Sequence, residues 1–243
     1  MNERRRNVAE ATTLDESGLG HNHVVRDQDA LWRDVLDLAA HVESALATAV
    51  EALCQARPDL VAEVRAGERA VDRWEVRIER ECLRILALYG LAASDLRRVV
   101  AALRVIRDLE GLADLAENLV KRAKKLGKDP VAAPYLARLR SLADRALELV
   151  RGSLTALEDL DPELARHVIA SDRQVDSLRL QIVEEIKRAI PDKPERVATW
   201  LRLINSARNL ERAADHATNI AEAVVAMKEG AIIRRRDGTR EPD

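Results

Sequence analysis

The sequence has no phenylalanine, and aromatic residues make up only 2% of its 243 positions. Turn formers are also scarce, with 7 prolines and 9 glycines. That combination argues against a β-sandwich, whose strands favour ring side chains and whose turns need proline and glycine. The two cysteines, Cys54 and Cys82, are far apart and form no CxxC pair. They read as small core residues in a reducing compartment. No apolar run reaches the length of a membrane span, and Met1 to Gly20 lacks the apolar stretch of a signal peptide. The expected location is the cytoplasm. A net charge of −2 lacks the basic excess of a nucleic-acid binder. There is no glycine-rich phosphate loop, and 5 histidines, two of them close to the N-terminus, assemble no Ser-His-Asp set. No catalytic constellation is expected, and the protein is read as a non-enzyme.

What is abundant is Ala, Leu, Val, Ile, Arg and Glu, with 47% hydrophobic and 34% charged residues. These are helix formers in a proportion that supports a core. Six long helices are expected. The first runs from about Asp27 to Arg57, after an aperiodic N-terminal arm over 1–26 that is expected to be disordered. The second runs from about Asp59 to Tyr89, and the third starts at a Ser94 or Asp95 cap and ends near Gly127. The break Gly127-Lys128-Asp129-Pro130 separates two halves. Helices then follow over about 133–159, 162–190 (capped by Asp161-Pro162) and 195–229, with Gly230 as a stop. The tail 231–243, with Arg234-Arg235-Arg236, is read as loose.

The halves repeat. Leu109-Glu110-Gly111-Leu112-Ala113-Asp114-Leu115-Ala116-Glu117-Asn118 is matched by Leu210-Glu211-Arg212-Ala213-Ala214-Asp215-His216-Ala217-Thr218-Asn219. The stretch Glu68-Arg69-Ala70-Val71-Asp72 is matched by Asp172-Arg173-Gln174-Val175-Asp176, and Pro58 by Pro162. The expected fold is all-α: two tandem pseudo-symmetric three-helix bundles, residues 27–127 and 131–230, with antiparallel neighbours joined by short connections.

The acidic residues of these repeats sit at helical spacing. One stripe reads Val99, Leu103, Ile106, Glu110, Asp114, Glu117, Lys121; its counterpart reads Trp200, Ile204, Ala207, Glu211, Asp215, Thr218, Glu222. Each stripe begins as a core face and then turns acidic, which an ordinary solvated face does not do. Like charges four apart on a helix repel by ~0.2–0.5 kcal/mol per pair. A bound cation would offset that in both halves. Glu68 with Asp72, and Asp172 with Asp176, carry the same spacing on neighbouring helices, and Asn118 and Asn219 add oxygen donors. An oxygen-rich set suits Mg, Mn, Ca or Fe better than Zn. The metal candidates are therefore Glu68, Asp72, Glu110, Asp114, Asn118, Asp172, Asp176, Glu211, Asp215 and Asn219. His216 has Leu115 as its counterpart and is read as structural or as a ligand in one half only. Arg107 and Arg208 also recur, as ion-pair partners within the bundle or contacts to an acidic partner. A ferritin-type di-iron enzyme would need Glu-xx-His pairs, which neither acidic motif contains.

At these residues the sequence resembles the PhoU family of bacterial phosphate-signalling regulators. The match rests on Asn209 to Glu222, on Asp108-Leu109-Glu110 with Ala113-Asp114, on Asp172 with Asp176, and on the two-half layout over about 28–230. Gly111 and Leu112 stand where the family usually has Arg and a small apolar residue, and Ala213-Ala214 replace an Ile-Gly pair. The resemblance implies metal clusters held at Glu110, Asp114, Glu211 and Asp215, with divalent or iron-type ions. It implies a cytoplasmic negative regulator of phosphate transport and of the phosphate-starvation two-component response. The implied partners are a sensor histidine kinase and the ATPase subunit of the phosphate transporter, so that contact with the membrane is indirect. The implied assembly is a homodimer. A metal-dependent enzyme or metal-storage bundle using the same carboxylates is the alternative.

Overall fold

The computed structural model describes residues 3–55, 57–127 and 129–230, with side chains from residue 23 onward apart from Pro58. These residues form six α-helices: α1 Glu3–Cys54, α2 Val61–Leu88, α3 Ala93–Leu126, α4 Ala133–Asp159, α5 Pro162–Ala189 and α6 Val197–Glu229. Among the described residues there is no strand. Each of α1, α2 and α3 packs on the other two, and α4, α5 and α6 do the same. The halves join through α3 against α6 and α1 against α4, which leaves α2 and α5 on the outside.

Local chemistry sets two of the boundaries clearly. Asp161 caps α5, its Oδ1 accepting from the amides of Glu163 and Leu164 at 2.8 and 3.1 Å, and Pro162 fills the first helical position. Gly230 ends α6 with φ 71°, a left-handed conformation that glycine adopts without penalty. Two expectations differ from the structure. Ser94 and Asp95 lie inside the first turn of α3, where Asp95 complements the helix dipole, and Ala92 occupies the cap position without a side-chain bond. The first helix starts at Glu3 rather than near Asp27. The chain holds no proline before Pro58, and extending a helix is far easier than nucleating one. Among the described side chains of α1, the first buried ones are Gln28 and Leu31. The tail 231–243 lies outside the described residues.

With no phenylalanine, the core is built of Leu, Val, Ile and Ala. The tryptophans are placed at contacts between helices. Trp32 of α1 lies under the Arg98 guanidinium of α3, 5.5 Å from the ring centroid. Trp74 of α2 faces His41 of α1, and Trp200 of α6 meets Tyr135 of α4 edge-on. Cys82 is buried among these side chains and Cys54 half-buried; both are free thiols.

The seam between the halves is the α3–α6 pair. Ala102, Ala113 and Ala116 of α3 and Ala207, Ala213, Ala214, Ala217 and Ala221 of α6 are all buried. The contacts run antiparallel. Arg97 Nε donates to the Met227 carbonyl at 3.3 Å, and Asp108 Oδ1 lies 2.9 Å from both His216 Nδ1 and Asn219 Nδ2. With its amide turned to satisfy its neighbours, the Asn209 side-chain oxygen accepts from Arg122 at 2.6 Å. Asp108 and Asn209 occupy the same place in the two repeats, so the seam carries a polar lock on either side of its alanine-rich centre.

His216 explains the glycine in α3. A Cβ placed on Gly111 would lie 2.4 Å from His216 Cε1, and the ring is tied in place by Asp108. We therefore expect Gly111→Ala to destabilise the protein by about 1–2 kcal/mol, because the overpacking exceeds the ~1 kcal/mol gained in helix propensity. In a His216→Ala background the same glycine substitution should become neutral or stabilising. Urea unfolding midpoints of the four proteins test this; a Gly111→Ala variant more stable than the parent would sink it.

Candidate functional site

Two acidic faces stand on equivalent helix pairs, one on α2 and α3 and the other on α5 and α6. On the first, Glu68 and Glu110 are half-buried, while Asp72 and Asp114 are exposed. Glu68 is held above the usual carboxylate range by burial and then by the charge of Glu117, with Asp72 and Asp114 adding and Lys121 opposing. Glu110 is raised by burial and then by Asp114, with Glu75 and Asp72 adding and His216 opposing. Carboxylates of α2 and α3 therefore face one another across the helix pair. Lys121 pairs with Glu117 one turn back, and Arg65 Nε approaches Glu117 to 3.8 Å.

The second face is arranged differently. Asp172 is almost fully buried at 1% exposure, and Asp176, Glu211 and Asp215 are half-buried. Arg179 of α5 crosses to Glu211 of α6, with Nε donating to Oε1 at 3.0 Å and Nη2 lying 2.8 Å from the same oxygen. Asn219, expected among the oxygen donors, is exposed and donates to Asp108 across the seam. Four residues past Asp215 the helix has turned about 40° onward, which aims the amide at α3. Asn118 is half-buried, and its backbone carbonyl accepts from Arg122 at 3.0 Å. His216 is a seam residue. Arg107 and Arg208 are both exposed.

The structure thus brings the expected acids onto facing helices without closing them round a point. Among the described residues no group of three or more His, Cys, Asp or Glu side chains is gathered as a metal site. In donor chemistry the α2–α3 face fits a hard cation, being all oxygen and crowded with like charge. The α5–α6 face does not fit one as it stands, because Glu211 is already held by a guanidinium. Glu75 and Arg179 were not among the residues expected from sequence. Both lie three positions past the second acid of the α2 and α5 motifs, so one further helical step along those stripes reaches them.

A family model described as the PhoU domain matches the chain twice, over residues 35–123 and 139–224. The chain belongs to the PhoU family. It is 34% identical to the "Phosphate-specific transport system accessory protein PhoU homolog" of Deinococcus radiodurans, over 82% of this chain and 92% of that protein. The PhoU homologue of Aquifex aeolicus, which carries the same description, is 35% identical over 83% of this chain and 91% of its own length. Among solved structures, PhoU from Pseudomonas aeruginosa superposes with a TM-score of 0.79 at 30% identity, covering 85% of this chain and 99% of that one. The phosphate transport system regulatory protein PhoU from Streptococcus pneumoniae, at 24% identity and a TM-score of 0.78, shares the fold. The PhoU helices are present here in both repeats. Among the described residues no helix is long and apolar enough to cross a membrane.

Folding raises the affinity of Glu110 for its proton, so the folded state keeps that proton to higher pH than the unfolded chain does. Well below the carboxylate range the two states are protonated alike; as pH rises through the raised value, this site comes to oppose folding. We expect Glu110→Gln to raise the thermal midpoint at pH 7 in chelator-containing buffer, and the gain to vanish at pH values below the ordinary carboxylate range. A variant less stable than the parent at pH 7 would show that the carboxylate is held by a favourable partner instead.

Proposed function

We propose that this chain is a non-enzymatic regulator of phosphate uptake and of the phosphate-starvation response, acting in the cytoplasm through protein contacts. The observation that carries the reading is the double match to the PhoU domain, over both halves, in a chain that aligns with accessory proteins of phosphate-specific transport. The partners are a sensor histidine kinase and the ATPase subunit of the phosphate transporter, and the regulator works as a homodimer. The regulation is negative: when phosphate suffices, it holds down both uptake and signalling.

The outer position of α2 and α5 supports docking through helix faces. Val76 of α2 and Leu180 of α5, equivalent positions in the two repeats, are each about half exposed beside the acidic motifs. Large apolar side chains in such settings commonly belong to contact surfaces. The α2–α3 face would hold a hard divalent or iron-type ion through Glu68, Asp72, Glu110 and Asp114. Its chemistry there is charge neutralisation: it would relieve the repulsion between the facing carboxylates and tie α2 to α3.

The test uses Glu68→Gln, Asp72→Asn, Glu110→Gln and Asp114→Asn combined, in cells carrying the gene and its intact phosphate transporter. The expected outcome is phosphate uptake and a phosphate-starvation reporter both raised several-fold in phosphate-replete medium. Metal content of the untagged protein, measured by elemental analysis, should fall in the same variant. Normal reporter and uptake levels with normal protein abundance would reject a regulatory role for this face. Loss of a catalysed turnover or of bulk metal loading, without change in the reporter, would favour the enzyme or storage reading.

A further inference from the structure

The two repeats carry opposite charges at one position. On α2 the acids Glu68 and Asp72 are followed by Glu75; on α5 the acids Asp172 and Asp176 are followed at the same spacing by Arg179. Each of these third residues acts on the equivalent acid of the neighbouring helix. Glu75 lies within electrostatic reach of Glu110, and Arg179 is paired with Glu211, the counterpart of Glu110. The reversal is thus aimed at the first acid of the α3 and α6 motifs in both halves.

The Arg179–Glu211 pair is partly shielded from solvent, with the two side chains 22% and 20% exposed. A guanidinium there is permanently charged, because arginine does not lose its proton in proteins, and both of its contacting nitrogens converge on one carboxylate oxygen. A hard divalent cation needs several oxygen ligands at once. To recruit Glu211 it would have to displace a fixed positive charge and then sit beside it. The first face has no such charge at this position. Its nearby cations, Lys121 and Arg65, engage Glu117, whose counterpart on α6 is the neutral Thr218.

We propose that Arg179 is the resident cation of the α5–α6 face and keeps a metal ion out of it. Combined with the reading of the α2–α3 face given above, on which this consequence rests, the protein binds metal in one half only. Arg179 is then the residue that makes two equivalent helix pairs chemically unequal.

Mn²⁺ is the probe, added to the full chain after stripping with a chelator, with bound ion counted by equilibrium dialysis. Arg179→Glu, which copies Glu75, is expected to take up about one further equivalent per chain. Arg179→Gln, similar in size but uncharged, should tighten Mn²⁺ binding at this face by roughly ten-fold. Adding Asp176→Asn and Asp215→Asn should abolish either gain. Circular dichroism and the thermal midpoint verify that each variant is folded, and the glutamine variant stands in should the glutamate variant fail to fold. The proposal is overturned if neither Arg179 variant binds more Mn²⁺ than the parent. It is equally overturned if Asp176→Asn with Asp215→Asn lowers binding to the parent protein itself. Glu75→Arg, which transplants the closing charge, should remove the parent's own Mn²⁺. A parent that binds none, beside an Arg179→Glu variant that binds, upholds the role of Arg179 and rejects the metal reading of the first face.

Discussion

The close packing of α3 against α6 is the constraint on which the molecule depends. It joins the two halves, and every other helix is placed by reference to it. Small side chains suit a close approach, and Ala102 and Ala116 of α3 and Ala207, Ala213, Ala214 and Ala217 of α6 are all buried. An alanine-rich contact is permissive in register, because it has few knobs to lock. The polar pairs supply what the alanines do not. Asp108 with His216 and Asn219, and Asn209 with Arg122, fix how far α3 slides along α6. Arg122 is half-buried and its charge is opposed by that burial, so its pairing matters more than that of an exposed arginine.

The same seam shows how a duplicated sequence departs from symmetry. His216 stands where the first repeat has Leu115, and the ring is accommodated by Gly111 on the facing helix. One change thus demanded another across the interface. Arg179 in place of Glu75 is a second departure, and it acts between α5 and α6 in the way His216 acts between α6 and α3. Both departures place a cationic or cation-capable side chain beside an acid of the helix motifs. The repeats keep their shape because these exchanges occur at half-buried positions. The fully buried residues at equivalent places, such as Val71 and Val175 or Leu109 and Leu210, are conserved in character between the halves.

Much of this was legible in the sequence. The stripe that runs from Val99 and Ile106 into Glu110 and Asp114 fixed both the helix and its orientation, because an apolar run continuing into acids can only point at a core and then emerge from it. Asp161-Pro162 and Gly230 located helix ends through chemistry that is local. The start of α1 was not legible in that way. Extension of a helix beyond a periodic stripe is set by propensity, and the sequence before Asp27 offers no such stripe by which to read it. The contact of Asn219 is hidden for another reason. Spacing along one helix puts it near the acids, but its partner Asp108 lies on a helix whose approach no single-helix pattern encodes. Arg179 is not legible from the acidic pattern because it is the one residue on the stripe whose charge is reversed.

Charge and packing are separable in this fold, and that decides what can be learned by changing the acids. The apolar part of each stripe is buried at Val99 and Ile106 on α3 and at Trp200 and Ala207 on α6, with Leu103 and Ile204 half-buried between them. The acids follow where the helix leaves the core, at half-buried or exposed positions. Replacing Glu110 or Asp114 with the matching amide removes repulsion from a face whose neighbours already oppose ionisation, and it takes no side-chain volume out of the interior. A charge-crowded face of this kind is maintained at a cost to the folded state. The cost is compatible with a fold whose interior is built from buried Leu, Val, Ile and Ala across six helices. The charge of these faces can therefore be changed while the core keeps the helices in position.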